Sequence, residues 1–250
     1  MNSIQASMTN EITKLLFRRK TVFFLSLTAI LPFAGIWMVS RLQTGFGITA
    51  VSVADFPVLM LNLFSALLLP LLIFMAAADM FAGEQQDGTA KITLTRPISR
   101  FDIYVSKHLA LLLYIGVYAA VGLVCSVIAS WFLPFEGSSL TRLLQSVLAY
   151  VAAVVPMAAI GFLAVFVGQW FKNGSGALTV TILLYGLAKL ASFLFPQLMT
   201  YSPTAYTDWH MLWIGDIVSW GKIGGIFSLL LSFCMLSFTA GFYLFDKKQW

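Results

Sequence analysis

The chain has 250 residues, of which 60% are hydrophobic and 10% charged, with a net charge of +5 from fifteen Lys/Arg against ten Asp/Glu. Soluble domains carry roughly a quarter charged residues, so this composition excludes an ordinary soluble globular protein. Its hydrophobicity also excludes intrinsic disorder. The basic residues sit between apolar blocks, which favours a membrane protein over a nucleic-acid binder.

Residues 1–20 open the chain with Ile4, Met8, Ile12, Leu15 and Leu16 at helical spacing and Gln5, Thr9, Asn10, Thr13 and Lys14 elsewhere. This pattern predicts a short amphipathic helix lying on the membrane surface. Arg18, Arg19 and Lys20 then precede the first long apolar run. No A-x-A-like site follows that run, so it reads as a retained span and not as a cleaved leader.

Six uncharged or nearly uncharged stretches predict spans at about 21–39, 56–78, 108–133, 143–170, 176–195 and 223–245. A 23-residue helix reaches about 35 Å, enough for a hydrocarbon core of about 30 Å. The runs are unbroken and not alternating, so helices and not barrel strands satisfy the backbone in lipid. The expected fold is an all-α polytopic membrane protein: a single domain over 1–250 with six transmembrane helices and an N-terminal interfacial helix. Pro156 is a candidate kink in the fourth span. Cys125 and Cys234 lie inside apolar runs and read as packing residues.

Orientation follows from the basic residues. With the N-terminus inside, the inner segments hold Lys14, Arg18, Arg19, Lys20, Lys91, Arg96, Arg100, Lys107, Lys172, Lys247 and Lys248, and the outer ones only Arg41, Arg142 and Lys222. Eleven against three is a strong positive-inside bias, placing both termini in the cytoplasm. Trp37, Trp131, Trp170 and Trp250 fall at or beyond span ends, as interfacial anchors do.

The inner loop at 79–107, DMFAGEQQDGTAKITLTRPISRFDIYVSK, carries eight of the twenty-five charged residues. Gly88 offers a turn, and Pro97 biases Arg96 away from helix. Ser99, with Asp102 three residues on, offers a helix cap, so the third helix is expected to begin near Arg100. Ile92 and Leu94 form an apolar knob ringed by charge.

Glu84, Gly88, Thr89, Leu94, Arg96, Pro97, Ser99, Arg100 and Lys107 together resemble the E-x-x-x-G-T-x-x-x-x-L-x-x-P-x-S-R pattern of ABC-2-type transporter permeases. The six spans and interfacial helix are similar to that family as well. The resemblance implies the permease subunit of a bacterial ABC exporter in the cytoplasmic membrane, a dimer with itself or with a related permease. It implies a separate ATPase, two copies per transporter, docking on the loop residues Glu84, Asp87, Gly88, Thr89, Ile92, Leu94, Arg96, Pro97, Ser99 and Arg100, with 172–174 as a second contact. The chain has no G-x-x-x-x-G-K-[ST], so ATP and Mg are expected on the partner, with no cofactor here. The outer segment 196–222, rich in Tyr and Trp, is expected at the headgroup layer; the family likeness suggests short helices there.

H-E-x-x-H and G-x-S-x-G are both absent, so those two enzyme classes find no support. Asp208, His210 and Asp216 read as a solvated outer trio. Lys189 is the only Lys, Arg, Asp or Glu well inside a predicted span, and such residues are functional candidates. It either snorkels outward or lines a translocation path. A mostly apolar lining suits an amphiphilic or lipid-like, peptide or drug cargo better than a bare ion. The competing reading is a secondary transporter or channel needing no ATPase, with a membrane-embedded enzyme behind it.

Overall fold

The computed structural model describes residues 3–46, 55–89, 98–132, 140–195, 197, 200–214 and 218–248. Among them are seven principal helices and no strand. Helix α1, Ser3–Leu16, is the short N-terminal helix that the sequence predicts. Six further helices are long and apolar enough to cross a membrane: α2, Arg19–Phe46; α3, Phe56–Gln86; α4, Arg100–Ser130; α5, Leu140–Gly168; α6, Gly174–Leu194; and α7, Trp220–Lys247.

The helices are not equivalent. In the most apolar window of each, 50% of α3, 39% of α4 and 56% of α5 is buried, against 11% of α2, 11% of α6 and 17% of α7. The core is therefore α3, α4 and α5, with the other three as a sheath whose outer faces are apolar. Leu72, Ile73, Leu111, Ile115, Met157 and Ile160 form its centre. Small residues allow the close approach that lipid-embedded helices depend on. A Cβ added at Gly122 would come within 2.9 Å of the Phe64 ring, and one at Gly161 within 3.2 Å of Ile73.

Helix α3 runs eight residues past the predicted end at 78. The helix carries Asp79, at the boundary predicted for the span, and its carboxylate pairs with Arg18 at 2.8 Å and Lys20 at 3.8 Å. It contains two π segments, Phe64–Leu68 and Asp79–Gly83. Pro70 has no N–H to give the Ala66 carbonyl four residues back. The Tyr185 hydroxyl of α6 donates to that carbonyl instead, at 3.1 Å. Pro156 sits within a continuous α5. Ser99 caps α4 by accepting from the Asp102 N–H at 3.0 Å, which places the start at Arg100 as the sequence predicts.

Candidate functional site

Two polar clusters stand out in this apolar bundle, one at each end. The first is at the basic end, where α1, the end of α3 and the start of α4 meet. Lys107, on α4 and 3% exposed, donates to Glu11 of α1 at 2.8 Å, to Glu84 of α3 at 2.7 Å and to the Met80 carbonyl at 3.2 Å. Lys14 closes the ring from α1, 3.1 Å from Glu11 and 3.4 Å from Glu84. Two carboxylates thus meet two ammonium groups, which satisfies the demand that buried charge be paired and hydrogen-bonded. Burial alone would raise the Glu11 carboxyl, but Lys107 and then Lys14 outweigh it and hold the group below its ordinary value.

The face that α1 turns to the bundle is Ser7, Glu11 and Leu15, four residues apart, all buried. Ser7 and Ser106 share a hydrogen bond of 2.9 Å. Glu11 carries no motif, and an acidic residue on a surface helix ordinarily reads as solvated. The four-residue spacing of Ser7, Glu11 and Leu15 is the signal that could have revealed it.

The loop leaves α3 directly from this cluster. Asp87 closes the helix, and Gly88 follows with φ of 69°, the left-handed conformation that favours glycine. Thr89 donates from Oγ1 to the Glu84 carbonyl at 3.4 Å. Ile92, Leu94, Arg96 and Pro97 lie outside the described residues. At the far side of the loop, Arg100 donates to the Asp246 carbonyl of α7. The turn before α6 joins the same end: Asn173 caps α6 by accepting from the Gly176 N–H at 3.2 Å, and the Gly174 N–H donates to Gln86 at 3.1 Å. Lys248 donates to the Gln169 carbonyl at 2.8 Å. A cavity of about 650 Å³ opens here, lined by Arg18, Arg19, Lys20, Asp79, Asp87 and Gly174 among others.

The second cluster is at the opposite end. Two 3-10 turns, Pro203–Tyr206 and Trp209–Trp213, pack on α5. Lys189 of α6 donates to the Thr207 hydroxyl at 2.8 Å. It lines a cavity of about 620 Å³ with Asn62, Ser65, Ser192, Thr207 and Asp208. His210 is 0% exposed and bonds Asn62 of α3 through Nε2 at 2.8 Å. Burial lowers its pKa, with Asp208 opposing the shift.

The expected solvated trio is therefore corrected. His210 is packed inside, Asp208 is exposed at the cavity, and Asp216 lies outside the described residues. The aromatic outer segment is divided as well. Trp209 is 3% exposed against Phe227 of α7, whereas Tyr201 and Trp220 are open. Among the described residues no group of His, Cys, Asp or Glu could hold a metal ion.

A family model described as ABC-2 family transporter protein matches residues 7–189, from α1 through Lys189. No curated protein matches the chain. The matched segment includes Glu11, Glu84, Lys107 and the whole inner loop. The chain belongs to the ABC-2 transporter family, which supports its being the membrane-spanning permease subunit of an ABC transporter.

Proposed function

We propose that this permease serves an exporter of the bacterial cytoplasmic membrane, with the basic end and both termini in the cytoplasm. Two copies of a separate ATPase bind ATP and Mg and dock on the loop from Glu84 to Arg100, with 172–174 as a second contact. The permease pairs with a second copy or with a related chain. Its weakly covered helices α2 and α6 offer apolar faces to lipid and to that neighbour. Glu84, buried against Lys107, anchors the docking loop, and Asp87, Gly88, Thr89, Ser99 and Arg100 frame it; Ile92, Leu94, Arg96 and Pro97, outside the described residues, are the expected contacts for the ATPase.

The observation that carries this reading is the buried Glu11, Lys107 and Glu84 cluster. A loop hung from a fully paired cluster cannot be pushed without moving α1, α3 and α4 together. That is what a lever needs: force on one loop becomes tilting of packed helices between two discrete arrangements. Net export further requires that cargo bind the two arrangements with different affinity. Lys189 at the opposite end then stands on the cargo path.

Co-purification tests the docking. Arg96→Glu with Arg100→Glu should release the ATPase from the purified complex, and unchanged recovery of the ATPase counts against the docking loop. Lys189→Met should impair transport while assembly stays intact. Transport at full rate by the chain alone in vesicles would overturn the motor-driven reading in favour of a secondary transporter.

A further inference from the structure

The cavity around Lys189 has an unusual charge arrangement for a membrane protein. Lys189 and Asp208 both line it, yet among the described residues no carboxylate stands within 4.0 Å of the Lys189 ammonium. Asp208 is close enough for its field to act on Lys189. The ammonium spends one proton on Thr207 and keeps the other two. On the same side, Asn62 has its Oδ1 engaged by His210, which leaves its NH2 group as a donor. The hydroxyls work in the opposite sense. Ser65 donates to the Asn62 carbonyl and Ser192 to the Ala188 carbonyl, so each presents lone pairs and no proton.

The cavity therefore offers donors with a positive charge, and acceptors with a negative charge, across one space of about 620 Å³. A purely anionic guest would meet Asp208 and a purely cationic one Lys189. A guest carrying both signs a few ångströms apart gains at both, in a half-buried setting where charge interactions are stronger than in water. The remaining lining includes Phe193 and Met211, 82% and 46% exposed, which give the opening an apolar flank for a hydrocarbon tail.

We propose that this cavity seats the zwitterionic head of an amphiphile, Lys189 and Asn62 taking its anionic group and Asp208 with Ser65 and Ser192 its cationic group. The inference rests on the permease reading and names the cargo class for it. A phospholipid headgroup with an amine and an apolar peptide with free ends share this chemistry.

The test uses the permease purified with its ATPase in a nonionic detergent. Displacement of a fluorescent lysophosphatidylethanolamine is measured with four competitors: unlabelled lysophosphatidylethanolamine, lysophosphatidylglycerol, an alkyltrimethylammonium of equal chain length, and a free-ended trileucine. The zwitterionic lysolipid should compete at least about tenfold better than either singly charged amphiphile, a difference of about 1.4 kcal/mol. Lys189→Met should shift preference toward the cation and Asp208→Asn toward the anion. Lys189→Arg keeps the cation and should retain the zwitterion preference, which guards against a Met variant that simply misfolds. Competition by trileucine identifies a peptide source, and its failure beside a competing lysolipid identifies a lipid one. Equal competition by all charge types, or a preference that both charge-removing variants leave unchanged, overturns the proposal. Such a result with the ATPase still bound leaves the permease reading standing, whereas loss of the ATPase with head preference intact strikes that reading instead.

Discussion

Lys107 commits all three of its ammonium protons, to Glu11, to Glu84 and to the Met80 carbonyl. Removing it leaves two buried carboxylates with only the partly exposed Lys14 to share, at 3.1 and 3.4 Å. Lys107→Met should therefore cost about 3–5 kcal/mol, the range for breaking a buried ion pair from one side. Thermal unfolding of the purified chain measures it, and Glu11→Gln added to Lys107→Met should restore part of the loss because the two sites share one network. Acid should act through the same carboxyl. Glu11 is held below its ordinary value of 4.5, so its contribution is present above that pH and disappears as pH falls through the lower, folded value. The unfolding midpoint should fall at acid pH below 4.5, and the Glu11→Gln chain should lose part of that dependence. A third residue prediction concerns Gly241 of α7, where an added Cβ would lie 2.3 Å from Tyr104 Oη and 3.1 Å from Gln169 Nε2. Tyr104 is fully buried and cannot swing aside. Gly241→Ala should cost about 1–3 kcal/mol as overpacking, and Tyr104→Phe in the same chain should recover much of it.

At the scale of elements, α3 is the helix on which both clusters depend. Asn62 and Ser65 belong to the outer cavity and Glu84 to the inner ring. Ser65 itself belongs to the π segment before Pro70, where the Ala66 carbonyl accepts a hydrogen bond from Tyr185 of α6. Tyr185→Phe removes that donor and should cost about 0.5–1.5 kcal/mol, the net worth of one hydrogen bond. In a Pro70→Ala chain the restored N–H can serve Ala66, so the Tyr185→Phe cost should shrink. A double-mutant cycle on unfolding midpoints reads this coupling, and independent effects would show that the hydroxyl does not compensate for the proline. Much of α3 was visible in the sequence as an apolar run. Its last eight residues were not, because the apolar run ends at Asp79 and the polar residues beyond it, Glu84, Gln85 and Gln86, carry no span signal. The start of α4 was legible for the converse reason: Ser99 caps through its own side chain within three residues, a purely local bond.

For the whole molecule, a core of three helices inside a sheath of three sets which surfaces are available. Helix α6 buries only Ala177 and Thr181 and exposes Leu183, Leu187, Leu190 and Leu194. In lipid that costs nothing, because the acyl chains are as apolar as the leucines. The basic end is tied together by contacts between distant segments: Glu11 to Lys107, Gln86 to Gly174, Arg100 to Asp246 and Lys248 to Gln169.

The sequence by itself determined that the chain is a six-span helical membrane protein with an interfacial N-terminal helix, and the loop residues around Glu84 to Arg100 pointed to its family. These features follow from properties of single residues and short spacings, since each span must satisfy its own backbone in lipid and each cap closes within one turn. Only the tertiary structure decided which charges are partners and which helices are central. Glu11 and Lys107 are 96 residues apart, and Asn62 and His210 are 148 apart. No local pattern specifies such pairs; packing brings them together, and the expense of leaving a buried charge alone keeps them there.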